Sequence, residues 1–151
     1  MRVLFLLCAI SLSTVCLSQS EQKTTIVFVC EHGGARSTIA SLYFNKMAKE
    51  QHLQYQSVFR ALTPDSTISL GTKKGLTTDG FETTALTPVA LTTKDIGPNI
   101  LLISLDCKVP SSYNATQEWS GVPAISKDYE AARNEIVKHL NALINELKTS
   151  R

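Results

Sequence analysis

The chain carries no excess of either charge: 15 Lys and Arg stand against 13 Asp and Glu in 151 residues, a formal net charge of +2. That excludes the broad basic footprint of a nucleic-acid binder, and no block of like charges marks an interaction tail or a polybasic membrane patch. A partner must be recognised by a local site. No apolar run reaches the roughly 18 to 20 residues that a spanning helix needs, and internal repeats and low-complexity segments are lacking. A composition that is 43% hydrophobic and 19% charged fits one soluble globular domain. Cysteine is scarce too. The four at positions 8, 16, 30 and 107 allow two disulfides only if all of them survive in the mature chain.

Residues 1–20 read MRVLFLLCAISLSTVCLSQS: a positive Arg2, an apolar run from Val3 to Leu17 softened by Ser11, Ser13 and Thr14, then small residues. This is the pattern of a secretory signal peptide cleaved after Ser18 or Ser20, and it predicts an exported protein, periplasmic or secreted. Lipidation at Cys16 is the alternative, disfavoured by the bulk of Val15. Cleavage leaves residues 21–151 as one domain of 131 residues whose cysteines are Cys30 and Cys107. Asn114-Ala115-Thr116 is a glycosylation sequon, meaningful only in a eukaryotic secretory pathway.

In that domain Thr24 to Val29 is a β-branched and aromatic run, apolar on both faces from Ile26, as buried parallel strands are. Apolar residues from Ile39 to Ala48 then recur at helical spacing, which predicts an amphipathic helix to about His52. Gln56 to Leu62 reads as a second strand closed by a Thr63-Pro64-Asp65 turn. Leu70 to Thr93, rich in Thr and broken by glycines and Pro88, has room for a weak helix and a short strand. Ile100 to Leu105 (ILLISL) reads as another buried strand, and Val109 to Pro123 as a long connection holding the single Trp119. Ile136, Leu140, Leu143 and Leu147 mark a final helix to about Lys148. Strands alternating with helices predict an α/β fold, a short parallel sheet covered by helices on both sides, with the ligand site beyond the carboxyl ends of the strands.

The turn after the first strand is Cys30-Glu31-His32-Gly33-Gly34-Ala35-Arg36-Ser37. Five residues between Cys and Arg let the backbone curl with its N–H groups inward, and Gly33 and Gly34 permit the close approach that such a nest needs. The following helix adds its positive end. Arg36 supplies a fork that matches two oxygens of phosphate or arsenate. Helix N-termini and guanidinium groups favour thiolate over thiol, so a cysteine beneath a bound oxyanion is placed for in-line attack. Ser37 can cap the helix and donate toward the sulfur. His32 lies where it can touch the anion, whereas Glu31 is expected to face solvent.

At these residues the sequence resembles the low-molecular-weight protein tyrosine phosphatase superfamily, which includes the thioredoxin-coupled arsenate reductases. The stretch IVFVCEHGGARSTIASLYFNKMA, Ile26 to Ala48, carries the resemblance, and weaker similarity continues through ILLISL and Trp119 to Tyr129, Arg133 and the last helix. The resemblance implies a four-stranded parallel sheet with flanking helices. It implies Cys30 as nucleophile, Arg36 as oxyanion clamp, the backbone of residues 31–36 (Glu31, His32, Gly33, Gly34, Ala35 and Arg36) as cradle, and Ser37 tuning the thiolate. The expected substrate is a small phosphate, arsenate or a phosphoprotein, with no metal or cofactor beyond an external thiol reductant if arsenate is reduced.

The chain departs from the family pattern in three places. Gly33 stands where the family has Asn, which implies a looser cradle. Trp119 to Ala124 stands where the family has its general-acid Asp, and holds no carboxylate, leaving Asp128, Glu118 and Asp106 as substitutes and slow ester hydrolysis without one. Of two resolving cysteines only Cys107 is near its place; it is a resolver, a partner for Cys30, or a structural thiol. Trp119 and Tyr129 wall the pocket or pack the core, and Asp128 is accounted for by the last helix's dipole. A binding module that keeps the cradle without efficient turnover is the alternative function.

Overall fold

In the computed structural model, which describes residues 24–149, strand β1 (Thr24–Cys30) is the axis of the molecule. It pairs in parallel with β2 (Tyr55–Ala61) on one side and β3 (Ile100–Leu105) on the other, and the short β4 (Gln117–Trp119) lies beyond β3. The sheet order is β2-β1-β3-β4, all parallel, as expected for an α/β fold. β1 and β3 are the two central strands, which is why both are apolar on both faces. The signal-peptide reading, with Cys8 and Cys16, falls outside the described residues. No described helix is long and apolar enough to cross a membrane.

The pleat divides the core. Ile26, Phe28 and Cys30 point to the layer of helices α1 (Arg36–Glu50) and α3 (Tyr129–Thr149), meeting Ile39, Phe44, Ile136 and Leu140. α2 (Leu70–Thr78) contributes Leu76 to the same layer. Val27, Val29 and Leu102 face the other way, under Leu62, Leu91, Val109 and Tyr113. Among the described residues that second face is covered by loops and by single-turn 3-10 helices at Thr93–Asp95 and Ser111–Tyr113, with no apolar residue of an α-helix in its cluster. In residues 79–99, Gly80, Pro88, Gly97 and Pro98 leave no stretch long enough for an amphipathic repeat.

Local chemistry sets the element ends. Ser69 caps α2 by accepting from the Thr72 N–H at 3.2 Å, and Asp128 accepts from the Ala131 N–H at 2.9 Å at the start of α3. The unreadable Thr-rich stretch thus holds one nine-residue helix and, in place of a strand, a single bridge between Ala61 and Ala90. Asp79, the residue after α2, ties the helices together. Its Oδ2 accepts from the hydroxyls of Tyr43 in α1 and Tyr129 in α3, each at 2.6 Å, and its Oδ1 from Arg133 at 3.1 Å. Tyr129 therefore lies between α2 and α3, over Gly75, where a Cβ would overlap its ring.

Candidate active site

The loop from Cys30 to Arg36 is held by its carbonyls. The oxygens of Cys30, Glu31, His32 and Gly34 accept from the N–H groups of Leu62, Thr63, Asp65 and Ser69, at 3.2, 2.8, 3.1 and 2.9 Å. The Gly33 carbonyl accepts from Thr38 Oγ1 at 2.6 Å, and that of Ala35 from the Ile39 N–H at 3.0 Å. Six consecutive carbonyls thus have donors. None of the N–H groups of residues 31–36 finds an acceptor among the described residues. A loop whose oxygens are all tied on one side turns its N–H groups to the other, and this is how a peptide backbone makes an anion cradle. The first N–H groups of α1 add to it, because the N-cap residue Ala35 has no side chain to satisfy them.

Gly33 makes this curl possible. Its φ is +67°, and a Cβ there would stand 2.8 Å from Ala61 Cβ and 3.2 Å from Pro88 Cβ. The position is packed shut, so the looser cradle implied by the lack of Asn gives way to a tight one. Glycine is what lets the loop lie against the end of β2.

Cys30 ends β1 at the floor, 5% exposed, with its Sγ 3.1 Å from Ser37 Oγ. Ser37 is the second residue of α1 and does not cap it; its hydroxyl donates to the Arg60 carbonyl at 3.2 Å. A neutral Cys30 donates to Ser37, which donates onward to Arg60. A thiolate instead receives the Ser37 proton after a rotation about one bond. Arg36 Nε and Nη2 donate to the Val122 carbonyl at 3.3 and 3.2 Å, and Nε lies 3.4 Å from Asp106 Oδ2. These contacts leave Nη1 free of hydrogen bonds among the described residues. Asp106 also accepts from the Gly121 and Val122 N–H groups at 2.8 and 3.0 Å, so it fastens Arg36 to the 119–123 segment.

A cavity of about 140 Å³ opens over this floor, lined by Cys30, Glu31, His32, Gly34, Ala35 and Arg36, with Asp65 and Ser69 on the remaining side. It has the room of four or five waters at about 30 Å³ each. The structure therefore brings the sequence-predicted residues to one place, except Cys107. That thiol donates weakly to the Val29 carbonyl at 3.6 Å and lines a neighbouring groove with Asp106, Lys108 and Glu118. Burial, then repulsion from Cys30, pushes it up to about 11. Cys30 and Cys107 are both free.

The substitutes for the missing acid part company. Asp128 caps α3, Glu118 is exposed on β4, and both oxygens of Asp106 already accept hydrogen bonds. Trp119 is core, packed on Phe28 and stacked on His139. Glu31 is exposed as expected, and Thr63 Oγ1 donates to it at 3.4 Å. Sequence reading missed Asp65 and Ser69. Their signal lay in the turn after β2, which an α/β fold brings to the same edge as the turn after β1.

No protein-family model and no curated protein sequence matches the chain. Solved structures do match in fold. An arsenate reductase from Archaeoglobus fulgidus is 20% identical, with 80% of this chain and 98% of that one covered at a TM-score of 0.59. YfkJ from Bacillus subtilis is 14% identical, covering 87% and 99% at 0.74. A low-molecular-weight phosphotyrosine phosphatase from Vibrio cholerae is 13% identical, covering 83% and 97% at 0.70. Nearly the whole length of each is spanned, and at these identities the likeness shows a shared fold.

Proposed function

We propose that the chain is a cysteine-dependent enzyme of the low-molecular-weight phosphatase type, acting on a phosphate monoester, free or on a protein, or on arsenate, through a covalent intermediate at Cys30. The observation that carries this reading is the carbonyl accounting of the loop: the oxygens of residues 30–35 are tied outward, above a buried thiol and beside a guanidinium. N–H groups fixed before substrate arrives need no reorganisation as negative charge builds on the equatorial oxygens. Arg36 adds its unused Nη1 to that charge. Cys30 Sγ attacks phosphorus from the floor, the leaving oxygen departs toward the mouth, and water then displaces the thiolate along the same line. Ser37 steadies the thiolate each time it forms.

With arsenate the same attack forms the Sγ–As bond, breaks one As–O bond whose oxygen leaves as water, and gives a Cys30 thioarsenate. A second thiol attacking Sγ takes the sulfur into a disulfide and releases arsenite, arsenic gaining the two electrons that the thiols lose. Cys107 is protonated near neutrality and opens on the adjacent groove, which favours an external thiol as that attacker. The alternative is an oxyanion-binding module with little turnover. It is favoured by the engagement of Arg36 with Val122 and Asp106 and by the lack of a carboxylate in residues 119–124.

Hydrolysis of 4-nitrophenyl phosphate, and arsenite release from arsenate with a thiol reductant, separate these readings. Turnover of either that disappears in Cys30→Ser supports the enzyme. Phosphate binding with no turnover of either substrate supports the module.

A further inference from the structure

Asp65 and Cys30 line the same small cavity. Cys30 is at its floor and buried, whereas the Asp65 side chain is 56% exposed at the mouth. In-line displacement puts the leaving oxygen on the far side of phosphorus from the attacking sulfur, which is the mouth. A proton donor for that oxygen must stand there.

Four rungs hold Asp65 in this place. Leu62, Thr63, Asp65 and Ser69 donate to Cys30, Glu31, His32 and Gly34, so the turn after β2 is stitched to the anion loop along its length. The carboxylate hangs over the loop: a Cβ built on Gly34 would lie 3.5 Å from Asp65 Oδ2. Its ionisable neighbour among the described residues is His32, with Nδ1 3.7 Å from Oδ1. No hydrogen-bond donor occupies either oxygen among the described residues. Asp106 is the contrast, since a proton on either of its oxygens would turn a donor against the Gly121 or Val122 N–H.

We propose that Asp65 is the general acid and base of this site, a catalytic carboxylate supplied by the turn after β2. This rests on the phosphatase-type reading above. In the first step the Sγ–P bond forms, the P–O bond to the leaving group breaks, and the Asp65 carboxyl proton passes to the departing oxygen. In the second the Asp65 carboxylate takes a proton from water as its oxygen bonds to phosphorus, the Sγ–P bond breaks, and the Cys30 thiolate and inorganic phosphate are released. Ester and water become alcohol and phosphate, with both side chains restored.

The experiment compares 4-nitrophenyl phosphate, whose leaving group departs without a proton, with phenyl phosphate, whose leaving group needs one, in wild type, Asp65→Asn and Asp106→Asn. Inhibition by inorganic phosphate reports the cradle in each. Asp65→Asn should lose about 100-fold or more in kcat/KM on phenyl phosphate, and less than about tenfold in kcat/KM on 4-nitrophenyl phosphate, with phosphate inhibition unchanged; kcat falls on both, because phosphoenzyme hydrolysis also loses its base. Equal loss of kcat/KM on both substrates, no loss on either, or weakened phosphate inhibition overturns the assignment. So does the selective loss appearing in Asp106→Asn instead. Failure of wild type to turn over even 4-nitrophenyl phosphate removes the enzyme reading itself, and the acid with it.

Discussion

Replacing Gly33 tests whether the cradle is as tightly built as its carbonyls imply. An alanine there meets two costs at once. At φ +67° an L-residue gives up about 1–2 kcal/mol. Its Cβ, 2.8 Å from Ala61 Cβ and 3.2 Å from Pro88 Cβ, forces the loop off β2, which as overpacking costs about 1–3 kcal/mol. The sum, roughly 2–5 kcal/mol, is a large part of the 5–15 kcal/mol that holds a domain of about this size together. Thermal unfolding should fall by about 6–20 °C. Gly33→Asn is the sharper variant, because Asn tolerates the left-handed region and is the residue that the resembled family has here. It avoids most of the first cost and none of the second, so it too should unfold at least about 4 °C below wild type, with weaker inhibition by phosphate. Adding Ala61→Gly removes the closest clashing atom and should make Gly33→Ala plus Ala61→Gly less destabilised than the two single changes summed. Thermal and urea unfolding of the five proteins, wild type and Ala61→Gly included, with phosphate inhibition of Gly33→Asn, measure all of this. Wild-type stability in Gly33→Asn would refute the packing argument.

Two further predictions concern titrating groups. Burial of Asp79 is outweighed by the hydrogen bonds from Tyr129 and Tyr43 and by Arg133, which hold its carboxyl below the usual range; its contribution is present above about pH 4 and lost as pH falls further. Burial, then the hydrogen bond to Asp79, pushes Tyr43 up to about 12, so the folded state loses stability as pH rises from about 10 to 12. Unfolding free energy across pH should show both limbs; Asp79→Ala should flatten the acid limb at a cost of about 1–3 kcal/mol, and Tyr43→Phe should reduce the alkaline one, which Tyr129, also pushed up by burial and by Asp79, shares. An unchanged profile in both variants argues against the network. In a Cys30→Ser background, which removes the Cys30 repulsion and leaves burial as the main cause, Cys107 should still be alkylated by iodoacetamide about tenfold or more slowly at pH 8 than an ordinary thiol, accelerating as pH rises. Labelling at the rate of a free cysteine would contradict its burial.

What the sequence made legible follows the range of the forces involved. β1 and β3 were plain because a central parallel strand must be apolar on both faces, and TTIVFVC and ILLISL have little other use. α3 was plain because its stripe of Ile136, Leu140, Leu143 and Leu147 is a local period. β4 was not read from its residues, since three of them pairing only with β3 form no pattern, and α2 was blurred by its threonines and Gly75. Gly75 serves a contact with Tyr129 from a helix more than fifty residues on, which no local window contains.

The site divides along the same line. A strand, a glycine pair, Cys and Arg at fixed spacing, and a helix are adjacent in the chain, so the cradle could be read from residues 30–37. Its acid could not. Asp106 sits one residue beyond β3 with φ +47°, where its backbone bends to let the carboxylate reach back to the Gly121 and Val122 N–H groups. Asp65 follows Pro64 in what reads as an ordinary turn. Only the pairing of β1 with β2 in register, Cys30 against Ala61, lets the rungs continue past both strands and lay that turn on the loop. The bonds that aim the backbone N–H groups inward are therefore the same ones that fix the carboxylate at the mouth. A change that breaks them, as Gly33→Asn should, is expected to weaken anion binding and proton transfer together, whereas Asp65→Asn should slow proton transfer and leave anion binding intact.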